Sequence, residues 1–177
     1  LAAVPLLWIY VMLYYQKQRV LTLLSPEDDK FGAGWNIIQS TTAIGSGGFS
    51  GKGWTEGTQS QLNFLPESHT DFIIAVLAEE FGLLGVIGLC SIYLLLVGYC
   101  MIVAINAQSQ FARLMAGSIS LTFFIYMFVN MSMVSGLLPV VGVPLPLVSY
   151  GGSAIVTLFF GFGILMAISS EPKRIGA

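Results

Sequence analysis

Charge is the first thing this sequence is short of. Only 9% of its 177 residues are Asp, Glu, Lys or Arg, against about 25% in an ordinary soluble domain. Seven basic residues face nine acidic ones, for a net charge of −2, so there is no basic footprint for nucleic acid. Cysteine is scarce too. Cys90 and Cys100 lie ten apart in one apolar run, which turns them away from each other around a helix axis. They read as small apolar fillers rather than a disulfide. What remains is apolar: 55% of residues are hydrophobic and the mean hydropathy is +0.82. This composition excludes a typical cytosolic enzyme, a nucleic-acid binder and a disordered chain. It leaves an integral membrane protein.

The few charges are unevenly placed. Residues 1–16 have none, residues 17–80 hold twelve, residues 81–112 have none, and Arg113 stands alone. After another charge-free stretch, Glu171, Lys173 and Arg174 close the sequence. A spanning helix needs about 20 apolar residues. The silent stretches predict spans over residues 72–105, 114–137 and 147–169. Pro139, Pro144 and Pro146 divide the last two, because proline cannot continue a helix. Residues 106–113 and 138–146 become short turns at opposite faces. Residues 1–15 are apolar but only about 22 Å long as a helix, and they lack the basic start and cleavage site of a signal peptide. They are expected to end a truncated membrane helix, with the chain as the C-terminal part of a larger protein. The expected fold is all-α: a polytopic integral membrane protein of about four transmembrane helices, the first truncated, with a long structured extracytoplasmic loop over residues 16–71. Arg113 and the basic tail 170–177 share one side, which the positive-inside bias makes cytoplasmic. The loop then lies outside, although it carries Lys17, Arg19, Lys30 and Lys52.

A loop this long is usually functional or disordered, and its Phe31, Trp35, Ile37, Ile38, Trp54 and Phe64 argue against disorder. Residues 35–44 fit a short amphipathic helix, lying on the bilayer or packed against the spans. The run GSGGFSGKG over residues 45–53 is not a Walker A motif, because Gly53 follows Lys52 where Ser or Thr is required. It reads either as a glycine-rich hairpin with a solvated lysine or as a backbone cradle for an anion. Next, PESHTDF over residues 66–72 gathers Glu67, His69 and Asp71. With Ser68 or Thr70 as N-cap, Asp71 fits the first turn of the following helix, where the dipole favours a carboxylate. Equally, a carboxylate there can act as general base on a sugar hydroxyl, with His69 to orient it. Carboxylates also suit a divalent cation, Mg or Mn.

Glu79 and Glu80 follow two turns further on. Ionisable groups at membrane depth usually face a cavity or a partner, although both fit a solvated interface. Gly82, Gly85 and Gly88 recur every third residue and permit close helix contact. The apolar turn over residues 137–153 is expected to fold back into the protein, since irregular backbone is tolerated at membrane depth only when buried or lining a cavity. It offers the hydroxyls of Ser149, Tyr150 and Ser153. Asn130, alone in its span, fits an interhelical hydrogen bond.

Several stretches together resemble one family: YQKQRV from residue 15, GAGW from 32, IGSGG from 44, GKG from 51, FLPESHTDF from 64, AEEFG from 78 and GVPLPLVSYGGS from 142. In this order they resemble the SEDS family of shape, elongation, division and sporulation proteins. Residues 53–62 resemble its elongation branch. The resemblance implies ten spans in the whole protein, of which this sequence covers the truncated seventh to the tenth, and a periplasmic loop at residues 16–71. It implies polymerisation of lipid II into glycan strands, with Asp71 matching the family's essential aspartate as general base. Lys52, Glu67, His69, Glu79, Glu80, Ser149 and Tyr150 are candidate substrate-binding or supporting residues. The implied partner is a class B penicillin-binding protein, whose single span would pack on residues 72–105 and 114–137 among the membrane lipids. The fragment alone is expected to be inactive. A lipid II flippase or a non-catalytic scaffold are the rival readings.

Overall fold

The computed structural model describes residues 12–29, 32–58 and 69–171. The described residues form only helices and irregular connections, with no strand among them. Helix α1 covers Tyr14–Leu24, and a 3-10 turn covers Pro26–Asp28. Helix α2 covers Ala33–Gly47, α3 Ile73–Asn106, α4 Gln110–Val134 and α5 Gly152–Ser169. The last three are long and apolar enough to cross a membrane. The expected truncated helix over residues 1–15 falls mostly outside the described residues. Cys90 and Cys100 are both free.

Side-chain chemistry fixes the ends of α4. Ser109 accepts a hydrogen bond from the Ala112 N–H at 3.1 Å, which supplies an N-cap. At the other end Gly136 takes φ +72°. The Leu137 N–H reaches the Ser132 carbonyl at 2.8 Å and the Gly136 N–H the Met133 carbonyl at 3.2 Å. This is a Schellman ending, which needs glycine because other side chains resist a left-handed φ. The core lies where α3 and α4 cross. Phe72, Ala75, Tyr93, Phe123, Met127 and Leu145 are all buried there. Tyr93 and Phe123 have ring centroids 5.8 Å apart, and Phe123 meets Phe162 of α5 at 5.5 Å.

At 34 residues, α3 would be about 51 Å long at 1.5 Å per residue, well beyond the ~30 Å of a hydrocarbon core. It is not continuous. Gly82 has φ +66° and ψ −161°, far from helical values. Burial changes character at this break. Before it, Ile74, Ala75, Ala78 and Glu79 are buried within the protein. After it, Leu83, Leu84, Ile87, Leu94 and Leu95 are exposed, as a lipid-facing surface would be. Residues 83–106 alone are about 36 Å long, enough to span. Residues 73–81 pack against α2.

A break in a helix leaves peptide groups without partners, and here the 48–53 loop supplies them. The Lys52 and Gly53 N–H groups donate to the carbonyls of Glu79 and Glu80, each at 3.0 Å. The Leu83 and Leu84 N–H groups donate to Gly48 and Phe49 carbonyls at 3.0 and 3.3 Å. The approach is close: a Cβ on Gly82 would lie 2.3 Å from the Gly51 nitrogen, and one on Gly51 would lie 2.1 Å from the Glu80 carbonyl oxygen. The expected glycine stripe is thus divided in role, because Gly82 is the break while a Cβ on Gly88 would meet nothing within 4 Å. Gly82→Ala should destabilise by about 1–3 kcal/mol through its left-handed φ alone. Gly88→Ala should be neutral or stabilising by up to about 1 kcal/mol. Thermal unfolding of both variants in detergent checks the contrast.

Candidate functional site

Asp71 lies on the short irregular segment that leads into α3. The segment is anchored by Phe72, whose side chain is fully buried. Helix α3 begins at Ile73, its N-cap position is Phe72, and no side chain caps it. The expectation that Asp71 sits in the first helical turn under a Ser or Thr cap is therefore corrected: Asp71 precedes the helix, and Ser68 lies outside the described residues. Among the described residues no N–H or O–H donates to its carboxylate. Burial pushes its pKa above the usual carboxylate value, because desolvation disfavours the charged form.

The 135–151 turn folds back onto this segment, as its apolar sequence requires. Asn130, fully buried near the end of α4, donates both amide hydrogens there. One goes to the Asp71 carbonyl at 2.8 Å and the other to the Val143 carbonyl at 2.7 Å. Ser149 donates to the Thr70 carbonyl and accepts from the Leu145 N–H at 2.7 Å. The Tyr150 N–H donates to the His69 carbonyl at 3.0 Å, and the Tyr93 hydroxyl to the Pro146 carbonyl. Gly142, at φ +80°, faces the Asp71 carboxylate, where a Cβ would lie 3.3 Å from Oδ2. Arg19 of α1 reaches the same turn, donating to the Val141 carbonyl at 3.3 Å.

The other expected residues are distributed differently. His69 and Tyr150 are exposed beside Asp71, and no hydrogen bond or ion pair joins the His69 ring to the Asp71 carboxylate. Ser149, expected to offer a hydroxyl to substrate, is buried and uses that hydroxyl on backbone. Glu67 lies outside the described residues. Glu79 is not solvated. It is fully buried, and its Oε1 accepts from Lys52 Nζ at 2.7 Å, the Thr58 N–H at 2.8 Å and the Thr58 hydroxyl at 2.9 Å. Lys52 is thus committed to Glu79, about 9 Å along the axis of α3 from its first residue. The Gly51, Lys52 and Gly53 N–H groups all donate to carbonyls of the protein. Both sequence readings of the glycine run, a solvated lysine and an anion cradle, give way to a structural staple. Glu80 is half-buried, and its carbonyl accepts from Gly53.

Sequence reasoning missed the contacts of Gly142, Arg19 and Thr58. It noticed Asn130 as a lone polar residue in a span, but nothing local marks its backbone partners. Among the described residues no three of His, Cys, Asp and Glu come together to hold a metal ion.

The FtsW/RodA/SpoVE family, described as cell cycle protein, matches residues 1–174. The chain belongs to this family. FtsW/RodA/SpoVE relatives include the peptidoglycan glycosyltransferase MrdB of Escherichia coli, 59% identical over 98% of this chain and 47% of that protein. A probable peptidoglycan glycosyltransferase FtsW of Trichlorobacter lovleyi is 46% identical over 90% of the chain and 42% of that protein. The chain thus spans about half the length of the curated relatives it matches. Among solved structures, one described as structural coordination of polymerization and crosslinking by a peptidoglycan synthase complex matches with a TM-score of 0.74 and 28% identity, over 96% of this chain and 45% of that one. A mutant of the rod shape determining protein RodA of Thermus thermophilus matches with a TM-score of 0.57 and 21% identity, over 93% and 60% of the two chains, and shows the fold alone. The described part is a polytopic, all-α membrane fold of the FtsW/RodA/SpoVE family.

Removing one partner of a buried ion pair leaves the other charge uncompensated, at about 3–5 kcal/mol. Lys52→Ala should therefore lower stability by about 3 kcal/mol. Glu79→Gln, which keeps an acceptor for Thr58, should cost less. Thermal unfolding of both variants in detergent measures the order. Equal and negligible losses would mean the pair is not structural.

Proposed function

We propose that the protein polymerises lipid II into glycan strands during cell-wall elongation, with Asp71 as general base. The observation that carries this reading is the state of Asp71. Its carbonyl is held by Asn130, and its partly desolvated carboxylate receives no hydrogen bond from the described residues. Desolvation makes such a group more basic than a solvated carboxylate, which suits it to take a proton. Asp71 removes the proton from the 4-hydroxyl of the acceptor sugar. That oxygen attacks the anomeric carbon of the lipid-linked donor, and the pyrophosphate leaves with the bond's electrons. Arg19, at the same turn, supplies positive charge for the leaving group. The exposed His69 and Tyr150 are placed to contact substrate. A divalent cation, Mg or Mn, would find Asp71 but no gathered ligand set among the described residues.

The names of the curated relatives support the reaction, since each specifies peptidoglycan glycosyltransfer. The synthase complex to which the chain is similar couples polymerization with crosslinking. This supports a class B penicillin-binding protein as partner, its single span packing on the exposed apolar faces of α3 and α4. The site then opens to the periplasm, with residues 107–109 and the tail on the cytoplasmic side of the inner membrane.

The decisive measurement is strand synthesis from purified lipid II by the full-length protein with its partner, the partner's transpeptidase blocked. Asp71→Asn should abolish long strands while leaving the complex intact. Undiminished strands would return the flippase and scaffold readings. Because the base works only when deprotonated and its pKa is raised, kcat/KM should fall on acidification with an inflection above pH 3.8. The stability effect has the opposite sense: a raised carboxyl pKa means stability is lost as pH rises through it. Asp71→Asn should therefore not lower the melting temperature at pH 7.

A further inference from the structure

We infer that Asn130 is a positioning residue for Asp71, holding the peptide of the aspartate and the facing Gly142 turn in one fixed arrangement. The inference rests on the catalytic reading of Asp71. A lone asparagine in a membrane helix most often bonds a side chain or backbone of a neighbouring helix. Asn130 does not. Both of its amide hydrogens go to non-helical carbonyls, those of Asp71 at 2.8 Å and Val143 at 2.7 Å. Val143 follows Gly142, whose missing side chain leaves room for the Asp71 carboxylate. One side chain thus sets the distance between the aspartate and the wall it faces.

The chemistry fixes which way the amide points. Two carbonyl oxygens require two N–H donors, and only the NH2 end supplies them. That choice leaves the Asn130 Oδ1 buried with no partner. Packing alone gives no reason to keep such a group, since a leucine of similar volume would fill the site without an orphaned acceptor. The other bonds on the segment do not replace this one. Ser149 holds Thr70 and the Tyr150 N–H holds His69, so neither fixes residue 71 itself. A small shift of a reacting group is enough to lose about 100-fold in rate.

The test uses the full-length protein with its partner and lipid II, and compares Asn130→Leu and Asn130→Ser with Asp71→Asn. Asn130→Leu should lower kcat about 100-fold, with KM for lipid II within about 3-fold and partner binding retained. Asn130→Ser keeps one donor and disturbs packing less, so it should fall in between. It decides the matter if the leucine variant does not fold. Hydrogen exchange should rise at the 69–72 segment and not along α3 beyond Gly82. A kcat within about 3-fold of the parent in a folded variant, or a loss confined to KM, would overturn the inference while Asp71→Asn remained inactive. Retained strand synthesis in Asp71→Asn would instead remove the catalytic reading and this inference with it.

Discussion

The rest of this structure depends on one constraint: irregular backbone near a membrane must have its peptide groups satisfied by the protein. The chain departs from helix at two places that matter, the 69–72 segment and the break at Gly82. At each, the missing intrahelical bonds are supplied by residues remote in sequence. Glu79 and Glu80 carbonyls receive the N–H groups of Lys52 and Gly53. Asp71 and Thr70 carbonyls receive Asn130 and Ser149. The site is therefore made by connections that reach across the fold rather than by the helix on which Asp71 borders.

The two places are joined by a short helical strut. Residues 73–81 form two and a half turns between Asp71 and the break, with Ile74, Ala75, Ala78 and Glu79 buried. The Lys52–Glu79 pair fixes the lower end of that strut, and Asn130 with the 139–150 turn fixes the upper end. A buried ion pair contributes little net stability over an apolar pair, but it specifies one register of the loop on the helix. The pair ties the glycine-rich loop to residues 73–81 at one point of the strut.

Much of this was legible in the sequence. The silence of charge over residues 81–112 and 114–170 marks the spans, and the three prolines between residues 139 and 146 mark the turn that folds back. Trp35, Ile38 and their neighbours mark α2. What was hidden is tertiary. Gly82 reads as one of three equivalent glycines at residues 82, 85 and 88, and only the arrival of the 48–53 loop gives it a left-handed φ. Lys52 in a glycine run suggests a phosphate ligand, because sequence cannot show that Glu79 is waiting for it. Ser149 looks like a free hydroxyl because its acceptor, the Thr70 carbonyl, is 79 residues away.

The same logic explains why the described residues leave the Asp71 carboxylate without donors. In a site built for stability, a neighbouring N–H would be aimed at it and would hold its pKa down. Here three nearby donors are aimed elsewhere: Asn130 and Ser149 bond carbonyls of the segment, and the Tyr150 N–H bonds the His69 carbonyl. Gly142 places only hydrogen on carbon against Oδ2. The backbone of the segment is held at residues 69, 70 and 71 in turn, while the Asp71 side chain is left to itself. That division raises the basicity of the carboxylate without loosening its position, which is the combination a general base requires.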